Sequence, residues 1–470
     1  MRNLFSTTAI LAALAFSGAA SAQNISVQSN QINTGTVNAD LRIDHVTMAG
    51  GGPRGPVDVI VGSALAVGNV LQTNAPNGQG VSEAASNNGG TLSPQNNSGA
   101  ITSDVSFSTT LTPNSVSLSS GAVGNLATLD GVSVVNSGNR VLGQVNSGNV
   151  VSTLTLQGGG YNTGDLKASS LAIGNNLSAD GSSTVQLGAG QNGGGILTQT
   201  NTGGQTATTN FVFGGDSRNL TASATAVGNV LSADAPTVGV TMTQNNAGPG
   251  QVANLTINQG AQQIVGSSTA MGNLVAPTGG SFSSAGGLVQ VNSAQQTANT
   301  SFQGVSVFNG GTANGSATAV GNAIQIAQIG PISLSGSQSN TGAVTANLDA
   351  TGGYTGAATF SSQGFGNLVA ATTDGSFGSG MPQTNSGAIM ASASIDGNTF
   401  GETSLSSLAI GNALQVRAGV SEGINGAANQ TNSGPVMSST TVSLGSFTGL
   451  NASSTAIGNL TTVSTGSTGL

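Results

Sequence analysis

One tetrapeptide pattern constrains this chain more than any other feature: a small residue, an apolar residue, Gly and Asn, nine times over. The copies end at Asn69, Asn125, Asn175, Asn229, Asn273, Asn322, Asn367, Asn412 and Asn459. Their glycines stand 56, 50, 54, 44, 49, 45, 45 and 47 residues apart, which is the fixed-period self-similarity of a repeat architecture. A second marker, Gln-x-Asn, begins at Gln31, Gln95, Gln144, Gln199, Gln244, Gln290, Gln338, Gln383 and Gln430. Two independent motifs in nine copies each, always in the same order, call for a fold built from one recurring unit.

Within the units apolar and polar residues alternate, as in Val105 and Phe107, Leu154 and Leu156, Phe211 and Phe213, Leu255 and Ile257, Val305 and Val307, and Val442 and Leu444. Period two is the signature of a strand. Outside the N-terminal segment no window shows helical spacing with caps. Gly-Gly runs such as Gly279-Gly280, Gly310-Gly311 and Gly352-Gly353, with Asp180-Gly181 and Asp396-Gly397, mark turns that need positive φ. The expected fold is all-β: a repetitive β-solenoid (β-helix) of nine units of about 47 residues. Each unit is expected to close into about two rungs of roughly 20 to 25 residues, giving a rod of roughly 85 Å.

The markers suit such a stack. In a strand, Gln and the Asn two positions later point to one side, so stacking sets like amides about 4.7–4.9 Å apart. A buried amide must find partners for both its C=O and its NH2, and a column of identical amides provides them. The glutamines and the Gly-Asn asparagines named above are therefore the expected repeat ladder. In the second motif, strict alternation puts the small residue and Gly on one side and the apolar residue and Asn on the other. Gly there suits a bend or a close approach of backbone.

Residues 1–22 read as a secretory signal. Arg2 supplies the positive start, Thr8 to Phe16 is apolar, and Ala20-Ser21-Ala22 is a small-x-small cleavage site that leaves Gln23 first. The apolar stretch falls short of the roughly 20 residues a membrane span needs. Cysteine is absent, so neither a disulfide nor a lipid anchor at the cleavage point is expected. Residues 23–62 carry a charged cluster of Asp40, Arg42, Asp44, His45, Arg54 and Asp58, read as an N-terminal cap or docking segment. Residues 63–470 are the repeat domain. The chain ends in Ser-Thr-Gly-Leu, without the aromatic last residue of an outer-membrane barrel, so retention at the surface is expected to come from a partner.

The few basic residues are scattered, which argues against nucleic-acid binding. The Gly-Asn pairs lack the Lys, the Ser/Thr and the helix of a phosphate loop, and the acids are too isolated for calcium-binding repeats. No cofactor or metal is expected. Asp180 and Asp234 occupy equivalent positions six residues after their glycines, a pattern taken to stop at those two units. Paired glycosidase carboxylates stand about 5–10 Å apart, so a polysaccharide-active β-helix enzyme is the alternative to a structural protein. Asp44 with His45 reads either as a catalytic dyad or, more simply, as a polar pair in a cap. An ice-binding protein is the second alternative. It would need Thr-x-Thr at one register in every rung, whereas Thr153-x-Thr155 and Thr241-x-Thr243 are not periodic.

A secreted, cysteine-free chain rich in Gly, Asn, Gln, Ser and Thr, with Gln and Asn at regular spacing, resembles the β-solenoid subunits of bacterial surface fibres. Curli subunits share the ladder principle with a repeat about half as long. In overall layout and in its Ala-x-Gly-Asn repeats, such as Ala66-Val67-Gly68-Asn69 and Ala172-Ile173-Gly174-Asn175, the chain is similar to the holdfast attachment protein D family of stalked alphaproteobacteria. That resemblance implies a protein on the outer membrane at the cell pole, exported through a curli-type secretion pore, that joins the cell to its adhesive polysaccharide. No functional residues carry over from it. The residues by themselves point to an exported structural or adhesive protein that is not an enzyme. Its rows of Thr, Ser, Asn and Gln suit multivalent contact with extracellular polysaccharide or a like subunit.

Overall fold

The computed structural model describes residues 25–26, 30–44, 59–75, 81–82, 94–109, 115–136, 143–158, 163–188, 196–213, 217–284, 287–354, 356–419 and 423–465. The secretory signal at residues 1–22, together with His45, Arg54 and Asp58, lies outside them. Every ladder joining the described strands is parallel, and no helix occurs among them.

A central unit shows how the alternation becomes architecture. Leu197–Asn201, Gln205–Phe213 and Ser217–Val240 run in turn around one coil, each pairing parallel with Met242–Asn246, Gln251–Asn258 and Ala261–Ser283 of the next. Gln199 thus lies between Gln144 and Gln244, and Asn229 between Asn175 and Asn273. Among the described residues every ladder joins one unit to its neighbour. One unit is therefore one coil, and the expected two rungs per unit are corrected to one. The two markers do not stack on each other because the chain between them travels from one wall of the coil to the facing wall. Nine coils at about 4.8 Å each make a stack of about 43 Å, half the expected length.

Residues 31–44, expected as part of a cap or docking segment, supply Gln31–Asn33 and Val37–Asp44 to the first coil. These pair with Pro94–Asn97 and Ile101–Thr109, and Ile60–Asn74 continues the coil against Ser115–Asn136.

Two apolar columns run through the stack. One lies between the middle strand of each coil and the first half of the long one, with Phe211, Leu220, Ala222 and Ala226 contributed by the fourth coil. The other is lined in the same coil by Leu197, Leu231, Ala233, Val238 and Val240. Between the columns stand the buried amides Gln199, Asn201 and Asn229, so the cross-section has a polar waist. Volume is balanced across the first column. Phe302 faces Gly266 and Gly315, whose added Cβ atoms would stand 2.9 and 2.5 Å from its ring. One coil further, Ala350 takes the place of Phe302 and Phe360 that of Gly315. The two rings meet tilted at 5.2 Å.

The waist exists because of the Gly-Asn bend. Val227 pairs with Ile173 and Asn229 with Asn175, while the glycine between them is left out of the paired register. This extra residue breaks the period of two. Ala226 and Asn229 both point inward, and Val227 joins Val230 on the other side of the sheet in a cluster separate from both columns. The expectation that the apolar residue and Asn share a side is corrected accordingly. Only Gly fits, since a Cβ at Gly228 would lie 2.6 Å from both the Gly272 carbonyl oxygen and Asn246 Oδ1. At Gly458, in the last coil, the nearest atom would be 3.5 Å away. Gly228→Ala is therefore expected to destabilise by about 2 kcal/mol or more, and Gly458→Ala by less than about 0.5 kcal/mol, in denaturant melts of the two variants.

Candidate functional site

The waist is a continuous hydrogen-bonded object. Each ladder glutamine donates through Nε2 to Oε1 of the glutamine one coil before it: Gln95 to Gln31, Gln144 to Gln95, Gln199 to Gln144, Gln244 to Gln199, Gln290 to Gln244, Gln338 to Gln290, Gln383 to Gln338 and Gln430 to Gln383, all at 2.7–2.8 Å. The bend asparagines run the other way. Asn69 donates to Asn125, which donates to Asn175, and so on through Asn229, Asn273, Asn322, Asn367 and Asn412 to Asn459, at 2.7–2.8 Å. The Asn of Gln-x-Asn forms a third ladder, from Asn33 through Asn97 and Asn146 to Asn432. The second amide hydrogens tie the two walls of the coil together: Gln199 Nε2 reaches the Val230 carbonyl at 2.8 Å and Asn229 Nδ2 the Asn245 carbonyl at 3.0 Å. Apart from the end coils these amides are almost wholly buried, and each has the partners burial demands.

Further ladders follow from positions that the two markers do not flag. Gln205, Gln251 and Gln296 stack in the three central coils with Oε1 acceptors at 2.6 and 2.8 Å, each amide also bonded to the Asn of its own Gln-x-Asn. Each follows its Gln-x-Asn glutamine by six or seven residues, and that recurrence was the available signal. A file of buried hydroxyls crosses the first apolar column: Ser152 donates to Ser120 and Ser120 to Ser103, both at 2.9 Å, and Thr209 donates to Ser170 at 2.8 Å.

The outer faces carry polar columns. Asn254, Asn299 and Asn347 form an outward amide ladder at 2.9–3.0 Å. On the long strands, Ser63, Ser119, Ser169, Ser223, Ser267, Ser316, Ser361, Ser406 and Ser453 stand one above another in all nine coils, half-buried or exposed. Each lies five residues before its Gly-Asn glycine. Alternate residues along a strand and adjacent coils together space these groups on a grid of about 6.8 by about 4.8 Å. Thr153 and Thr155 sit beside Thr208 and Asn210, so the threonine columns an ice-binding reading needs are interrupted.

Asp180 lies between Asp234 and Asp130, and Asn74 precedes Asp130 in the same column. The pair expected at Asp180 and Asp234 is therefore a stack of three. Asp130 also lies six residues after its glycine, and the preceding Leu in place of Ala hid it. Desolvation first, then repulsion from Asp130 and Asp234, raises the Asp180 pKa from its ordinary value. Asp104 is likewise raised by burial and by Asp40, its register partner. Arg42 pairs with Asp44. Among the described residues no group of three or more His, Cys, Asp or Glu is placed to hold a metal ion. His45 lies outside the described residues, so no geometry tests the dyad with Asp44.

A parallel solenoid closed by amide ladders, with polar columns on its outer walls, belongs to the class of extended repeat scaffolds. Residues 178–421, more than half of the chain, match the family described as holdfast attachment protein D, and the chain belongs to that family. It is thus a holdfast-related adhesion protein, associated with the cell surface, from a family of structural attachment proteins. No curated protein and no solved structure matches it.

Two outcomes test the waist and the acid stack. Gln244→Leu strands Gln199 Oε1 and an amide hydrogen of Gln290, and it is expected to cost about 1–3 kcal/mol in equilibrium unfolding, against less than about 1 kcal/mol for Gln430→Leu in the last coil. The Asp180 carboxyl has a higher pKa folded than unfolded. It therefore costs stability at neutral pH, and that cost disappears as pH falls through the folded value. Asp180→Asn should raise the melting temperature at pH 7 and give no gain below about pH 3.

Proposed function

We propose that this protein is exported to the outer membrane of a Gram-negative cell and works there as a short rigid rod that holds the cell to an adhesive polysaccharide. The observation that carries this reading is the set of outward columns, above all nine serines in unbroken register, on a scaffold of the holdfast attachment family. A polymer with a repeating hydroxyl pattern meets the same donors and acceptors at every coil. Individually weak hydrogen bonds then sum, because each contact after the first is intramolecular. A rigid parallel stack keeps the grid in place, so little ordering entropy is lost on binding.

Such a role requires a secretion or anchoring protein in the outer membrane as one partner and extracellular polysaccharide as the other. Nucleic acid is not among the partners, and no catalytic step is assigned. Purified protein incubated with matrix polysaccharide should retain it without producing new reducing ends; release of reducing ends would instead favour the polysaccharide-active enzyme. Replacing Ser169, Ser223, Ser267 and Ser316 together by Ala is expected to shift each site's stability by less than about 0.5 kcal/mol while weakening polysaccharide retention multiplicatively. Deleting the gene should abolish surface attachment of the cells.

A further inference from the structure

The amide ladders have a direction, and it gives the two ends of the stack opposite hydrogen-bonding character. Gln31 accepts from Gln95 and spends one amide hydrogen on the Val70 carbonyl, which leaves its second N–H at the start of the ladder. At the other end Gln430 donates to Gln383 and the Leu460 carbonyl, and its Oε1 takes the Thr461 hydroxyl at 3.3 Å in place of a further glutamine, which leaves one lone pair. The asparagine ladders are reversed. Asn33 and Asn69 donate into the stack and present Oδ1 at the first coil. Asn432 and Asn459 accept from the stack, and each keeps one Nδ2 hydrogen at the last coil after bonding the Gly434 and Gln430 carbonyls. The first coil thus offers one donor and two acceptors, and the last coil offers one acceptor and two donors, at the same positions of the cross-section.

The first apolar column is also left open at both ends, whereas beside the second column Ile25–Ser26 pairs with Val81–Ser82 of the first coil. Val37, Leu41 and Ile43 are only partly buried, where Ile101, Val105 and Phe107 one coil further in are wholly so. Val436 and Val442 stand in the same relation to Ile389 and Ile395. The strand Val436–Thr465 is paired along one edge over 27 registered residues between Val436 and Thr465, and no described strand pairs with its other edge. An unpaired edge of that length is a template for another strand.

We propose that copies of this chain stack head to tail, the last coil of one against the first coil of the next, so that the amide ladders and the first apolar column continue across the joint. The occupant of each end is a second copy because the joint repeats an interface the molecule already makes between its own coils. Like ends cannot join this way, since turning one stack over reverses its strand direction and the order of positions in its cross-section, so neither the parallel pairing nor the amide columns would continue. This inference does not depend on polysaccharide as a ligand, and its test contains none.

The test uses the full mature chain with one blocked end at a time: Leu41→Glu in the first coil and Val442→Glu in the last. Circular dichroism first confirms that each variant keeps its β-signal. By analytical ultracentrifugation the unmodified chain should grow with concentration into particles longer than one stack but no wider, as seen in electron micrographs. Each blocked variant alone should lose this growth and sediment as one chain, and a mixture of the two should shift to the mass of two chains and stop there. Lys167→Glu, on the flank, should grow as the unmodified chain does. A chain that stays single at every concentration would overturn the proposal. Pairing of either blocked variant with itself would overturn the polarity. Sideways thickening that Lys167→Glu abolishes would show lateral association instead.

Discussion

A primary amide buried away from water must have its C=O and both its N–H groups paired, and the rest of this structure follows from how that demand is met. Each ladder glutamine and bend asparagine takes one partner from the same residue one coil away and another from a carbonyl on the facing wall, while the Asn of Gln-x-Asn takes its second from a carbonyl two residues further along, as Asn146 does from Gly148. A shift of register by one residue would turn a whole column to the outside and leave its neighbours unpaired. The ladders therefore fix which residues stack and where the two walls touch, while the turns between them let one coil differ in length from the next. The apolar columns on either side tolerate variety, as the exchange between Phe302 with Gly315 and Ala350 with Phe360 shows. The amides of Gln-x-Asn and Gly-Asn do not vary across the nine coils.

The bend glycine is the geometric counterpart of that chemistry. By adding one residue at the waist it brings Asn onto the inner face beside the preceding Ala, and by lacking a Cβ it lets the backbone of one wall approach the amide on the other. Amides of modest reach can then span the coil. A thicker waist would strand them, and a larger residue at this point would push the walls apart. Thin cross-section, absence of Trp and Cys, and a high content of Gly, Ala, Ser and Asn are one property seen from different sides.

For a surface attachment protein this construction has a plain consequence. The inside is devoted to holding register, and the outside inherits the same repeat without any folding duty of its own. The nine-serine column illustrates it: half-buried hydroxyls on the outer wall occupy one position throughout, while the columns on either side of them change freely. The same regularity makes each end of the stack a copy of an internal interface, and the direction of the ladders makes those ends unlike.

Much of this was legible in the residues themselves. The nine Gln-x-Asn and nine Gly-Asn copies, with alternation between them, determined an all-β repeat stack and named the amides that line its waist, because like residues recurring at one period have to meet like neighbours. The strands around Phe107, Leu156, Phe211 and Ile257 were marked by period two alone. What the sequence left open was how far the chain travels before it meets itself. A repeat length fits one wide coil or two narrow ones equally well, and only the pairing of Gln199 with Gln144 and Gln244 chose the wide coil. The side on which Asn229 points was likewise decided by the tertiary fold, since a glycine bend cancels the alternation from which a side would be read. Direction along the ladders, and with it the difference between the two ends, arises only when every amide has settled which neighbour it donates to.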